Sequence, residues 1–247
     1  MGKVKPKRKS TLIDMTAMSD VTVLLLTFFM LTSTFLQKEP VTVITPSSVS
    51  EIKVPTSNVV TILVGTSNVS GKEEGKIFLG IAGDEDPDMG GSEDVRKAAL
   101  QIAAQEYAKY TGKDPGITPS DIEKFAKINM FGVPMADMHA FLALKPEQQD
   151  KYLGELDNPK VGIPMDEIVY TNADGLRDIT NEFRIWMRAI NNAGNSNLSA
   201  AIKSGEGIAV KADATTNYQT MHEVLDNLQT MKMNRFSVMT ALKSEQD

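Results

Sequence analysis

An α+β fold behind a single membrane-spanning helix is what this sequence predicts, and three observations carry that reading. Residues 15–36 form the one apolar run long enough to span a bilayer, and it follows directly on a basic head. Strand-like segments recur at 59–64, 76–82, 207–212 and 236–242. Between them lie stretches whose apolar residues recur at intervals of three and four, the period of a helix with one buried face.

The basic head comes first. Lys3, Lys5, Lys7, Arg8 and Lys9 place five of the 26 basic residues before any acid, leaving 21 against all 32 acidic residues in the remainder. A cationic segment beside an apolar run stays on the cytoplasmic side, so the long acidic part is expected on the far side of the membrane. A nucleic-acid role is excluded by the same asymmetry, because the cluster adjoins the span and the rest is acidic. Cysteine is absent, which rules out disulfides, thiol catalysis and Cys-ligated metals. These limits divide the chain into a basic cytoplasmic tail (1–12), a transmembrane helix (13–36), a tether (37–58) and an α+β domain (59–247).

The apolar run reads Met15-Thr16-Ala17-Met18-Ser19-Asp20-Val21 and continues to Leu36. As a helix, residues 15–36 rise about 33 Å, against a hydrocarbon core of roughly 30 Å. Asp20 is the single charge in it. An ionised carboxylate there costs on the order of 2.5–3.5 kcal/mol, which makes Asp20 the first candidate for function. Two readings stay open from the residues alone: an intramembrane carboxylate, or the N-cap of a shorter helix beginning at Val21. Leu24, Thr27, Leu31 and Thr34 share the face of Asp20 on an ideal helix. Thr27 and Thr34 are candidates to face a partner helix or water, or equally to bond their own backbone carbonyls. A cleaved signal peptide is the other reading of head and run. However, Ser33-Thr34-Phe35-Leu36-Gln37-Lys38 carries no small-residue cleavage pattern, so an uncleaved anchor is expected.

Pro40, Pro46 and Pro55 with many Ser, Thr and Val residues make 37–58 an extended tether with weak strand character. Val59–Val64 and Lys76–Ala82 are two strands around a Ser/Asn/Gly-rich loop. From Gly83 to about Pro164 the texture turns helical. Ser92 is the expected N-cap of a helix to Thr111, with Gly112 as its stop; Thr118-Pro119 and Pro146 open two more. This block, about 84–164, reads as an insertion. Asp174–Asn192 is then an amphipathic helix on Leu176, Ile179, Phe183, Trp186 and Ile190. Gly207–Ala212 is a strand, Tyr218, Met221, Leu225 and Leu228 mark a second helix, and Phe236–Leu242 closes as a strand. Without the insertion the order is β-β-α-β-α-β, a small sandwich with helices on one face of a sheet.

Three of these segments resemble the ExbD/TolR family of biopolymer transport proteins. Ile13 to Val21 and the run after it look like the family's Thr-Pro-x-x-Asp-Val opening of its one transmembrane helix. Val54-Pro55 and the strand pair that follows are similar to the start of its periplasmic domain. Ile208-Ala209-Val210-Lys211-Ala212-Asp213, leading to Tyr218 and Met221–Leu228, is similar to its last strand, turn and helix. The likeness covers about 10–83 and 165–242. Ala17 stands where the family has proline, and 84–164 has no counterpart in its short versions.

The resemblance implies a non-enzymatic subunit of the inner membrane, single-pass, with its C-terminal domain in the periplasm. It implies a homodimer working with an ExbB/TolQ-like polytopic membrane protein and a TonB-like periplasm-spanning protein, powered by the proton motive force. Asp20 is then the proton-translocating carboxylate, with Thr27, Leu24, Leu31 and Thr34 facing partner or pore. An ExbD-like role in a TonB system is the leading expectation, and a TolR-like role in envelope integrity is the alternative. A flagellar stator subunit fits less well, since nothing in the C-terminal part reads as a peptidoglycan anchor. A membrane-tethered binding module is the rival from another class.

No cofactor or metal is expected. From Asp84 an EF-hand loop would need Gly at position 89 and Glu at 95, where Met89 and Val95 stand. His139 and His222 have no metal-ligand spacing. Phosphate-binding and nucleophile-elbow motifs are missing. Met130, Met135 and Met138 read as core filling.

Overall fold

The structure, a computed structural model, describes residues 15–32, 39–40, 47–48, 55–69, 72–84, 86, 88, 91–172, 175–193, 196–212, 216–239 and 241–242. The chain forms two compact units, 1–37 and 38–247. Helix α1 (Met15–Thr32, 18 residues) is the described part of the first. Its 18 residues rise about 27 Å. Among the described residues no helix is long and apolar enough to cross a membrane. Positions 13–14 and 33–36 of the expected span, Thr34 with them, lie outside the described residues, as does the tail 1–12.

The second unit is mixed α and β. Strands β2 (Val59–Val69) and β3 (Lys72–Ala82) form an antiparallel hairpin, longer than the sequence suggests. The Ser/Asn/Gly-rich stretch continues the strands almost to the turn. Parallel to β2 lies β7 (Ile208–Ala212), followed by β8 (Ser237–Met239), and β4 (Met130–Phe131) pairs with β3. The sheet order is β4-β3-β2-β7-β8. Val60, Ile62, Leu63 and Val64 are all fully buried, so β2 is covered on both faces; this is why Val59–Val64 is a continuous apolar run and not an alternating one.

Helix α2 (Ser92–Thr111) ends at Gly112, whose φ of 69° is the left-handed C-cap geometry glycine permits. Its N-cap is Gly91 and not Ser92: the Ser92 hydroxyl instead accepts the Gly83 N–H at 2.9 Å. Helix α3 (Pro119–Ala126) opens with a full capping box between Thr118 and Asp121, as its Thr-Pro start suggests. A 3₁₀ turn (Met135–Asp137), α4 (Met138–Leu142) and α5 (Pro146–Gly154) follow. Met135 and Met138 are core residues.

The helical block shares one core with the rest. Phe125 of α3, Phe131 of β4 and Trp186 of α6 (Glu182–Asn191) form an aromatic cluster, with ring centroids 4.5 Å apart for Phe131–Trp186 and 5.7 Å for Phe125–Trp186. Each such side chain contributes on the order of 1.5–3 kcal/mol by burial. Deleting 84–164 would therefore open the core.

The expected helix over 174–192 is corrected. Only Glu182–Asn191 is helical; before it β5 (Ile168–Thr171) and β6 (Arg177–Thr180) make a two-stranded ribbon. Gly175 at φ 76° and the Asn172 side chain, which accepts the Leu176 N–H at 2.9 Å, form its turn. Asn181 then caps α6 by accepting the Arg184 N–H at 2.8 Å. Leu176 and Ile179 are 65% and 46% exposed, whereas Phe183, Trp186 and Ile190 are buried. Two further differences concern short elements. Phe236–Leu242 divides into β8 and β9 (Ala241–Leu242), the latter parallel to β1 (Ser47–Ser48) from the tether. Helix α7 (Ser196–Ser204), which the sequence reading left out, buries Leu198 and Ile202 one turn apart. Helix α8 (Tyr218–Thr230) lies where the spacing places it.

Candidate functional site

On α1 the side chains from Met18 to Thr32 are all exposed within their unit. Val21, Leu24, Thr27, Phe28 and Leu31 line one shallow apolar groove on the face that also carries Asp20. The Asp20 carboxylate has no hydrogen-bond or ion-pair partner among the described residues. Thr27, by contrast, is satisfied within the helix: its hydroxyl donates to the Val23 and Leu24 carbonyls at 3.0 and 2.9 Å. Thr22 and Thr32 bond the carbonyls of Met18 and Phe28 in the same way, at 2.5 and 2.8 Å. Hydroxyls closed onto their own backbone suit a surface without water, because hydrocarbon offers no other acceptor. From Asp20 to Thr32 the helix thus presents one unpartnered acid, apolar groups and three self-satisfied threonines.

Among the described residues the second unit buries four charged side chains, Lys76, Arg96, Asp121 and Glu182, and the last three are tied to other elements by hydrogen bonds. Glu182, at the first turn of α6, is 9% exposed and accepts the Met135 N–H at 2.8 Å. Burial pushes its carboxyl up to about 7; the Met135 N–H opposes this, while the charges of Asp166 and Asp137 add to it. Arg96 of α2 is buried and donates to the Ile81 and Ala126 carbonyls at 2.9 and 3.0 Å, tying α2 to the ends of β3 and α3. Burial lowers its guanidinium from the ordinary value, with Glu93 acting against the shift. Asp121 is buried, which disfavours its charge, but the Thr118 hydroxyl and N–H and the His139 ring nitrogen, at 2.7, 2.9 and 2.7 Å, hold it below the usual carboxylate range.

A polar cleft of about 880 Å³ lies between β3, the 159–167 segment, the start of α6 and α8. In it Asn227 Oδ1 accepts from Asn181 Nδ2 at 2.8 Å and from Arg184 Nε at 2.6 Å. His139 serves Asp121, and His222 bonds Asp226 at 2.8 Å on the same helix. Among the described residues no group of His, Cys, Asp and Glu is arranged to hold a metal ion. Leu24, Thr27 and Leu31 line one groove on α1, and Asp20 lies one helical turn before Leu24. Glu182 and Arg96 escaped the sequence reading, because tertiary packing and not local pattern buries them.

The comparisons agree with the N-terminal part of this reading. The family model described as biopolymer transport protein ExbD/TolR matches residues 6–117, spanning α1, the β2–β3 hairpin and α2. The match thus extends past residue 84 into the helical block, and it does not include β7 and α8. No curated protein and no solved structure matches the chain. Over residues 6–117 the chain is thus similar to the ExbD/TolR family of biopolymer transport proteins.

Proposed function

We propose that this chain is an ion-carrying subunit of a proton-motive-force-driven complex in the inner membrane, ExbD-like in that it powers nutrient transport across an outer membrane. Residues 13–36 cross the membrane once, with the basic head in the cytoplasm and the α+β domain in the periplasm. Two copies sit with a polytopic ExbB/TolQ-like protein and act on a TonB-like protein. The observation that carries this reading is the α1 surface: one carboxylate without a partner among the described residues, followed from Val21 to Thr32 only by apolar side chains and three threonines bonded to their own backbone. Asp20 takes up and releases a proton as partner groups and water approach or leave it. Each charge moved through 100 mV is worth ~2.3 kcal/mol, so a few protons per step suffice to drive a rearrangement. Leu24, Thr27 and Leu31 pack against the partner on the same face, and Thr34 extends that face by its spacing.

Deletion of the gene with complementation tests this function. Energised uptake of haem or a siderophore is expected to fall on deletion and return with the wild-type chain. Unchanged uptake together with a leaky envelope would assign the TolR-like role instead.

A further inference from the structure

The polar cleft has a strand edge in its wall. Ile77 of β3 accepts the Ile163 N–H at 2.9 Å on the side away from β2. Peptide groups alternate along a strand, so Gly75, two residues earlier, turns its N–H and C=O to that same side. Strand β4 pairs with β3 only at Leu79 and Gly80, which leaves the edge open at Gly75, where it lines the cleft. An open strand edge is a template for another strand.

Two further features say what kind of strand fits. Across the cleft, the β5–β6 ribbon presents Val169 and Ile179 as a cross-strand pair, 57% and 46% exposed, with Ile179 at the cleft rim. The lining is acidic: Glu74, Asp166, Glu167, Glu223 and Asp226 outnumber Lys76 and Arg184. Both of those cations already have partners, Lys76 at 3.4 Å from Glu74 and Arg184 at 2.6 Å from Asn227. The excess acid faces a ligand of opposite sign.

We propose that this cleft docks an extended polypeptide of a partner protein, its backbone added along the β3 edge at Gly75. Its basic side chains lie against Glu167 and Glu223, and an apolar side chain packs on Ile179. The site is built from residues on both sides of the helical block, which gives that block a role in shaping it: the 159–167 segment forms one wall. It draws on no property of α1 and holds whether or not Asp20 carries a proton.

The test uses the full chain in nonionic detergent and a fluorescent synthetic peptide of alternating lysine and valine, read by anisotropy. Saturable binding is expected, with none for the glutamate–valine counterpart. Glu167→Gln with Glu223→Gln, or Ile179→Lys alone, is expected to weaken it by about tenfold or more. A charge-matched control, Glu147→Gln with Asp150→Asn on α5, leaves it unchanged. Fluorescence of Trp186 verifies that each variant is folded. Peptide binding should also slow amide hydrogen exchange at Gly75 and leave α5 as it was. Equal loss in the control pair, no saturable binding, or no protection at Gly75 would overturn the assignment. So would dissociation of self-associated chains by Ile179→Lys without peptide binding, which would make a second copy the occupant.

Discussion

Replacing Glu182 by glutamine should remove a specific part of the domain's pH dependence. The carboxyl is held at about 7 in the folded chain, against an ordinary value of 4.5. A group raised in this way stabilises the fold fully below its unfolded value, and the stabilisation is lost as pH rises to the folded value. The window here is pH 4.5 to 7, and at ~1.4 kcal/mol per pH unit the loss amounts to about 3 kcal/mol. Glutamine keeps an oxygen to accept the Met135 N–H and has nothing to ionise. Wild type and Glu182→Gln are therefore expected to be of similar stability near pH 4.5, and the variant more stable by about 3 kcal/mol at pH 8. Chemical denaturation of the full-length chains from pH 4.5 to 8, followed by Trp186 fluorescence, measures the difference. Trp186 is the single tryptophan and is fully buried, so it reports unfolding of this unit alone. Parallel stability curves for the two proteins would refute the assignment of a buried, proton-holding Glu182.

Other perturbations have clear directions. Arg96→Ala leaves the Ile81 and Ala126 carbonyls without their charged donor and should cost about 3 kcal/mol in the same denaturation assay. Gly75→Ala drives a methyl group into the Thr220 side chain, whose nearest carbon would lie 2.0 Å away, and should lower stability by about 1–3 kcal/mol. Asp121→Ala breaks the capping box and the His139 contact; about 1–2 kcal/mol should be lost near neutral pH. Because the Asp121 carboxyl is held below its usual range, its contribution is present above that range and fades as pH falls below it. The wild type should thus approach the Asp121→Ala variant in stability under strongly acid conditions.

Much of this architecture is legible because local chemistry and tertiary packing agree. Thr118-Pro119 carries both a cap and a proline at the first helical position, and Gly112 carries the left-handed C-cap, so α2 and α3 end and begin where expected. The buried strand β2 announces itself as a nearly continuous β-branched run at 59–64, and β7 by Ile208 and Val210. Segment 174–181 misleads because Leu176 and Ile179 fall by coincidence on the helical spacing set by Phe183 and Trp186. Gly175 and Asn181 hold the opposing information, a turn and a cap. Helix α7 has two buried apolar residues, Leu198 and Ile202, too few to stand out against its polar neighbours. Asp20 is visible in sequence because one charge in an apolar run is a local signal. Glu182 is invisible because the Met135 N–H it accepts lies 47 residues away along the chain. The cleft escapes for the same reason, since its walls come from four separate segments.

The central claim is that Asp20 carries the proton that energises the complex. Asp20→Asn removes the titratable group and retains the shape, so the variant should assemble and fold as the wild type does. Expressed at wild-type abundance in cells lacking the gene, it is expected to give no energised uptake of haem or a siderophore. Normal energised uptake by Asp20→Asn at matched abundance would contradict the account.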